Sequence, residues 1–418
     1  MSDTPVILVI GTADTKSDEL LYLKDRIETG GGRAHIMDVG VLGDPDFKPQ
    51  STKHDVAAAA KTSNEAIIAL GDENQAMTKT AEGASLLARQ LYDDGKIHGV
   101  LALGGTMGTD LALDVCQALP LGVPKYVVST IAFSPLIPAE RLAADTQMIL
   151  WAGGLYGLNA ICKSSLSQAA GAVVGAVRTA EPPLRDRPLV GITSLGKSCL
   201  KYMVFLKPAL EKRGYEVAVF HTTGMGGRAF ESLAAEGAFA AVMDFSLQEL
   251  SNDLNGSIVT AGADRLENCG RAGIPQIVAP GAVDLIDLAT AAPLPEKYQD
   301  REYHAHNRLI ASVTVSPDER RRTARAICEK LKAATAPVHI LLPTQGIEEW
   351  DRSGEVLYDP VGHAAFVDEL QQAVEQPVEL TSLACHINDR VFATEALKVF
   401  DSWVADGIIV AGVADAST

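Results

Sequence analysis

The sequence predicts an α/β protein of two doubly wound, Rossmann-like domains with mainly parallel sheets. Three observations point there. Short apolar runs alternate with longer amphipathic segments along the chain, the alternation restarts after a proline- and charge-rich break, and several apolar runs end in glycine-rich polar loops. Parallel strands need long crossovers, which helices supply, so strand–helix alternation favours this class.

The first run opens with Val6–Ile10, continuously apolar as in a strand buried on both faces. A helix is predicted over Ser17–Glu28, with Leu20, Leu21, Leu23 and Ile27 on one side and Gly30–Gly32 as its stop. Ala34–Val39 reads as a strand and Gly40–Thr52 as a long loop. Helices follow near His54–Lys61 and Ala76–Asp93. Gly99–Leu103 is a strand leading to a helix that reaches about Leu119, and Tyr126–Ser129 is another strand. Asn159–Thr179, rich in Ala, Ser and Gly, reads as a long, closely packing helix.

Residues 179–188 hold three prolines and four charges and read as a linker. The predicted domains are therefore 1–180 and 188–418, the first binding nucleotide and the second offering another ligand site at a cleft between them. In the second run, strands are predicted at Leu189–Thr193, Tyr215–Phe220, Phe239–Met243, Ser257–Thr260, Ile274–Ala279, Val338–Leu342 and Val378–Leu380. Helices are predicted at Ser198–Arg213, from the loop 221–227 to about Glu236, and at Ser316–Ala333, Phe366–Val374 and Thr394–Asp406. Ser316-Pro317-Asp318-Glu319 supplies an N-cap, a first-turn proline and an acidic first turn.

The chain has 418 residues, 47% of them hydrophobic, and a net charge of −17. That length allows two or three domains at about 100–200 residues each. A diffuse negative field opposes nucleic acid and anionic membranes, so neither is expected as a partner. The six cysteines lack Cys-x-x-Cys or zinc spacing and read as small buried thiols of a reducing compartment. No signal peptide and no membrane-length apolar run is read from the sequence, so a soluble cytoplasmic protein is expected.

Ligands of doubly wound sheets sit beyond the carboxyl ends of strands. Gly11-Thr12-Ala13-Asp14-Thr15-Lys16 follows the first strand: it has a turning glycine, two hydroxyls, a cation and a helix N-terminus. It suits a phosphate, or else is a plain turn capped by Asp14. Gly104-Gly105-Thr106-Met107-Gly108-Thr109-Asp110 follows another strand, and its glycines allow close backbone approach to a phosphate. Asp110 could hold a cation through water or favour the helix start. Gly191–Ser198 matches G-x-x-x-x-G-K-S in full, with Asp244 ending a strand that resembles its usual magnesium-binding companion. Its first glycine falls inside the predicted strand, which counts against a P-loop.

His221-Thr222-Thr223-Gly224-Met225-Gly226-Gly227-Arg228 suits a phosphate or carboxylate, with His221 as acid/base or cap. His304 and His306 stand two apart, and Asp284 would complete an acid/base or metal site with them. The bland alternative is a polar loop. Cys385–Asp389 also follows a predicted strand. No Gly-x-Ser-x-Gly elbow is present.

Residues 9–16, 102–109, 220–230, 273–284 and 306–308 together resemble the ATP-binding-domain-like family of the tomato mosaic virus resistance protein, in order and over nearly the whole chain. The resemblance implies two Rossmann-like subdomains, ATP binding with magnesium as candidate counter-ion, and self-association as a dimer or other homo-oligomer. The plant protein's TIM-barrel-like extension is not matched. Matching motif positions place the nucleotide at Gly11, Thr12, Asp14, Thr15, Lys16, Gly104, Gly105, Thr106 and Gly108. Lys197 is not part of the family pattern.

The leading expectation is an ATP-binding protein, with ATP-dependent turnover of a small acidic or sugar-derived metabolite as its enzymatic form. Candidate catalytic groups are His306, Asp284 and His221. Candidate substrate contacts are Thr222, Gly224, Gly226, Gly227, Arg228, Asn307 and Arg308; a metal ligand set is not assigned. Two other readings stand beside it: a non-catalytic module in which ATP tunes oligomerisation, and an ATP-independent lyase or hydrolase using His304, His306 and Asp284.

Overall fold

The computed structural model describes residues 4–181, 183, 186–291, 293–355 and 357–413. The chain divides into two compact units, Met1–Pro183 and Leu184–Thr418. Of the linker, residues 182, 184 and 185 lie outside the described residues.

In the first unit, β1 (Val6–Gly11), β2 (Arg33–Asp38), β3 (Gly99–Gly104), β4 (Lys125–Ser129) and β5 (Thr146–Leu150) form one parallel sheet, order β2-β1-β3-β4-β5. β1 and β3 are buried at every position, as their unbroken apolar runs require. Each face of the sheet has its own core. Leu8, Ile10, Val100 and Ala102 point to one, and Ile7, Val9, Leu101 and Leu103 to the other. The strand order reverses between β1 and β3, which opens the crevice there.

The helix Ser17–Thr29 buries Leu20, Leu23 and Ile27 and leaves Leu21 exposed. Ala160–Thr179, capped by Asn159, is long and apolar enough to cross a membrane, contrary to the sequence reading. Its stripe of Cys162, Leu166, Ala169, Ala170, Val173 and Val174 packs into the second core. β5 was not predicted, because its partly exposed Thr146-Gln147-Met148-Ile149-Leu150 lacks a continuous apolar signature.

The second unit begins with β6 (Leu189–Ser194), β7 (Glu216–His221), β8 (Ala241–Asp244) and β9 (Gln276–Val278). Next come β10 (Leu285–Ala289), β11 (Tyr303–Ala305) and β12 (Ile310–Thr314), then β13 (Val338–Pro343) and β14 (Glu379–Leu383). The large parallel sheet runs β14-β13-β9-β8-β6-β7, with its reversal between β6 and β8. β10, β12 and β11 make a small antiparallel sheet absent from the prediction.

Ser257–Thr260 is not a strand. Its polar bonds go to side chains and to β10: Ser257 Oγ donates to the Asp287 carbonyl and Asn252 Nδ2 to that of Val259, while Ile258 faces solvent. The helix after β6 starts at Met203, later than predicted, because Leu195 and Cys199 first pair through backbone bonds. The helix Pro317–Leu331 has the expected Ser316 cap, as a full capping box with Glu319. All six cysteines are free and buried, and burial pushes the Cys116 thiol up to about 12.

A Cβ on Gly104 would stand 2.5 Å from the Gly108 Cα, so this glycine sets how closely the next helix approaches β3. Gly104→Ala is expected to cost about 1–3 kcal/mol in urea denaturation, as overpacking does. Gly171→Ala, on an exposed helical position with open space around it, is expected to be neutral or to gain up to about 1 kcal/mol.

Candidate functional site

Both predicted phosphate loops of the first unit reach one cavity of about 570 Å³ at the β1/β3 reversal. Thr12, Asp14, Thr15 and Gly108 line it; Gly11, Lys16, Gly104, Gly105 and Thr106 do not. Thr106 lines a smaller neighbouring cavity of about 310 Å³. The remaining wall is largely apolar: Val39, Val41, Leu42, Ile67, Ile68, Met77, Met107 and Leu111, with Asp72 and Glu73 among the residues around them. Val39, Val41, Leu42, Ile67 and Ile68 were missed because the loop after β2 and the short helix Asn64–Ile68 carry no motif.

Within the first loop, the amides of Thr15 and Lys16 close a turn on the Thr12 carbonyl, and the Thr12 and Thr15 hydroxyls bond each other at 2.8 Å. Asp14 does not cap the helix. Lys16 is the N-cap residue without a side-chain bond, and Asp14 instead accepts from the Gly43 amide at 3.2 Å. Asp38, buried at the end of β2, accepts from the amides of Ala13 (2.9 Å) and Gly40 (2.8 Å) and so joins the loops after β1 and β2. Burial raises its carboxyl above the usual range against those two bonds.

The second loop starts the helix Thr106–Ala118 at once, with Gly105 as N-cap and no side-chain capping bond. Only Thr130 Oγ1, at 3.8 Å, lies near a Cβ built on Gly105. Asp110 is ion-paired to Arg141 at 2.7 Å, which also holds Asp114. That pairing removes Asp110 as a free cation ligand.

In the second unit Gly191–Ser198 lacks P-loop geometry. Gly191, Ile192 and Thr193 lie inside β6, Ser198 Oγ donates to the Leu195 carbonyl, and Lys197 is exposed. Asp244 binds the fully buried Arg265 at 2.6 Å and accepts from Thr193 Oγ1 at 2.7 Å, so it is not a magnesium ligand in waiting.

The loop His221–Arg228 holds an anion of the protein's own. Glu249 Oε1 accepts from the amides of Gly224 (2.6 Å) and Gly227 (3.1 Å) at the start of the helix Met225–Ala235. A Cβ on Gly227 would lie 1.7 Å from Glu249 Oε2, and one on Gly226 1.8 Å from the His221 carbonyl oxygen. These glycines thus admit internal atoms. Arg228 pairs with Asp264 at 2.7 Å, and Thr222 bonds Ser246 Oγ at 2.6 Å. The substrate contacts expected at Thr222, Gly224, Gly227 and Arg228 are therefore taken by the fold.

Arg265 also binds Glu249 (3.0 Å) and Glu231 (3.2 Å), so one buried guanidinium serves three buried carboxylates. Burial pushes Glu249 up to about 7 and raises Glu231, each against the pull of Arg265.

The predicted catalytic trio is split. His221 and His306 are within electrostatic reach of each other and of Asp287. Asp284 instead lies with Glu348 and Asp351 in a separate buried acidic group, facing Arg320. Asp284 Oδ1 and Glu348 Oε1 make no hydrogen bond; burial, with Asp351 and Asp359 near and against the pull of Arg320, pushes Asp284 up to about 7, and burial with Asp284 and Asp351 near pushes Glu348 to about 10. Among the described residues no group of three His, Cys, Asp or Glu side chains is placed to hold a metal.

Asn307 closes the β11–β12 hairpin by accepting from the amides of Leu309 and Ile310, while Arg308 is exposed. His304 packs against Trp350 with ring centroids 4.4 Å apart. His386 is buried and hydrogen-bonded to the Glu348 carbonyl at 2.8 Å. Asp287 could have been found from alternation: in Leu285–Ala289 it faces away from Ile286, which joins Tyr298, Val313 and Val315 in a small core.

Residues 5–182 match the N-terminal domain, and residues 187–404 the C-terminal domain, of the Uncharacterised protein family UPF0261. The chain belongs to this family. A UPF0261 protein of Brucella melitensis is 58% identical over 411 residues, covering 98% of each chain. A UPF0261 protein of Clostridium tetani is 34% identical, covering 94% of this chain and 97% of its own. The ToMV resistance protein Tm-1(GCR237) of Solanum lycopersicum is 28% identical over 433 residues, covering 96% of this chain and 56% of the tomato protein. The resemblance read from the motifs is thus borne out.

Because burial raises the Glu249 pKa from 4.5 to about 7, its stabilising contribution is complete below the lower value and lost as pH rises through the upper one. The urea midpoint of the second unit is expected to fall between those pH values, and Glu249→Gln to flatten that slope. Arg265→Met, which strands three buried carboxylates, is expected to cost about 3–5 kcal/mol at neutral pH.

Proposed function

We propose that this UPF0261 protein binds ATP in its first unit, in the cavity at the β1/β3 reversal. The supporting observation is convergence: Thr12 and Thr15 from one family motif and Gly108 from another line the same 570 Å³ space. That volume lies within the range of small-molecule sites, about 300–1,000 Å³. The apolar walls from Val39–Leu42, Ile67, Ile68 and Met77 suit a purine ring. The helix Thr106–Ala118 begins beside the cavity with a glycine N-cap, which leaves its first-turn amides and positive dipole end for phosphate.

The acidic residues Asp14, Asp72 and Glu73 would repel a bare triphosphate, and among the described residues no Lys or Arg lines the cavity. The residues therefore fit the magnesium complex of ATP better than the free anion. Magnesium would lower the ligand's charge, while the hydroxyls of Thr12 and Thr15 orient it. In the second unit's loops the Ser198 hydroxyl and the Gly224 and Gly227 amides serve the fold, so they do not compete for this role.

Calorimetric titration of the full chain with magnesium ATP tests this. Wild type is expected to bind saturably. Gly105→Val, which places a side chain at the helix start where there is room for it, is expected to weaken binding about tenfold or more, near 1.4 kcal/mol. Ala76→Trp, which fills the apolar wall, is expected to do the same, and Lys197→Ala to change nothing. Absence of wild-type binding, or full binding by both Gly105→Val and Ala76→Trp, overturns the proposal.

A further inference from the structure

The groups around His221 are left with a complementary set of unused hydrogen-bonding positions. The Gly196 amide donates to His221 Nδ1 at 3.1 Å, so the neutral ring carries its hydrogen on Nε2 and offers a donor. Asp287, only 4% exposed, is held by Ser312 Oγ at 2.6 Å and by the side-chain amide of Gln248. Gln248 is 1% exposed, and its Oε1 accepts no hydrogen bond. That oxygen belongs to the side chain that also bonds Asp287, so both acceptors come from one contact pair. A buried amide oxygen without a donor is a cost the fold bears unless a ligand supplies one.

Two further features complete the surroundings. His306, exposed on the β11–β12 hairpin, lies within electrostatic reach of both Asp287 and His221, next to the exposed Arg308. The half-buried Trp350 ring is 5.9 Å from His306, centroid to centroid. His221, Gln248 and Trp350 come from the loops or ends that follow β7, β8 and β13, the carboxyl edge where such sheets hold ligands.

We propose that His221, Gln248, Asp287 and His306 form a small-molecule site in the second unit whose ligand is polyhydroxylated, a sugar or a sugar acid. Neighbouring hydroxyls donate to Gln248 Oε1 and the Asp287 carboxylate, and one of them accepts from His221 Nε2–H. The carbon face of the ligand packs on the Trp350 ring. A ligand carboxylate meets His306 and Arg308. The site does not depend on nucleotide in the first unit, so its test stands apart from the ATP titration.

The test is saturation-transfer NMR and calorimetry on the full chain with D-ribose and D-gluconate as probes. Saturable binding of at least one is expected. His221→Leu, at an exposed position, and Asp287→Asn, an isosteric change, are each expected to lower affinity at least about tenfold with the thermal unfolding midpoint kept. Tighter binding of D-gluconate that His306→Gln abolishes identifies a sugar acid; equal binding of both probes, or a preference for D-ribose, identifies a neutral sugar. No saturable wild-type binding of either probe, or binding untouched by both His221→Leu and Asp287→Asn, overturns the proposal.

Discussion

The Arg265 guanidinium organises the second unit. It is fully buried and holds Asp244 at the end of β8, Glu249 in the helix Gln248–Leu254 and Glu231 in the helix Met225–Ala235. Through Glu249 it fixes the amides of Gly224 and Gly227, and through Asp244 the Thr193 hydroxyl of β6. One cation thus sets the relative positions of two strand ends and two helix starts. Isolated charges cannot stay in a dry interior, so the network holds only while all its members are present.

The first unit solves the same problem with less charge. Asp38 ties the loops after β1 and β2 through two backbone amides, and Asp14 adds a bond to Gly43. The helix Thr106–Ala118 starts without a capping side chain. In one unit the first turn of the helix after a strand is filled by an internal carboxylate; in the other it opens beside a cavity. That contrast separates a loop that supports the fold from one suited to a ligand, although both are rich in glycine.

Much of this was legible in the sequence. Both sheets, most strands of each, the break near residue 183 and the family followed from apolar periodicity and the order of motifs. The small antiparallel sheet and β5 did not, because their strands are short and partly exposed and give weak alternation. The candidate sites were half legible. The sequence groups His221, His306 and Asp284 as candidates, whereas in the fold His221 and His306 lie within electrostatic reach of Asp287, and Asp284, three residues earlier, turns into a separate buried group.

The sequence by itself determined the α/β class, the division into two doubly wound units and the family, since these depend on local apolar patterning and ordered motifs. Only the tertiary structure decided which polar loops have donors to spare. Gly191–Ser198 and His221–Arg228 look like anion loops in one dimension, but in three the Leu195 carbonyl takes the Ser198 hydroxyl, Glu249 the Gly224 and Gly227 amides and Asp264 two guanidinium nitrogens of Arg228. The partner of a buried donor is set by residues tens of positions away, and no local spacing records it.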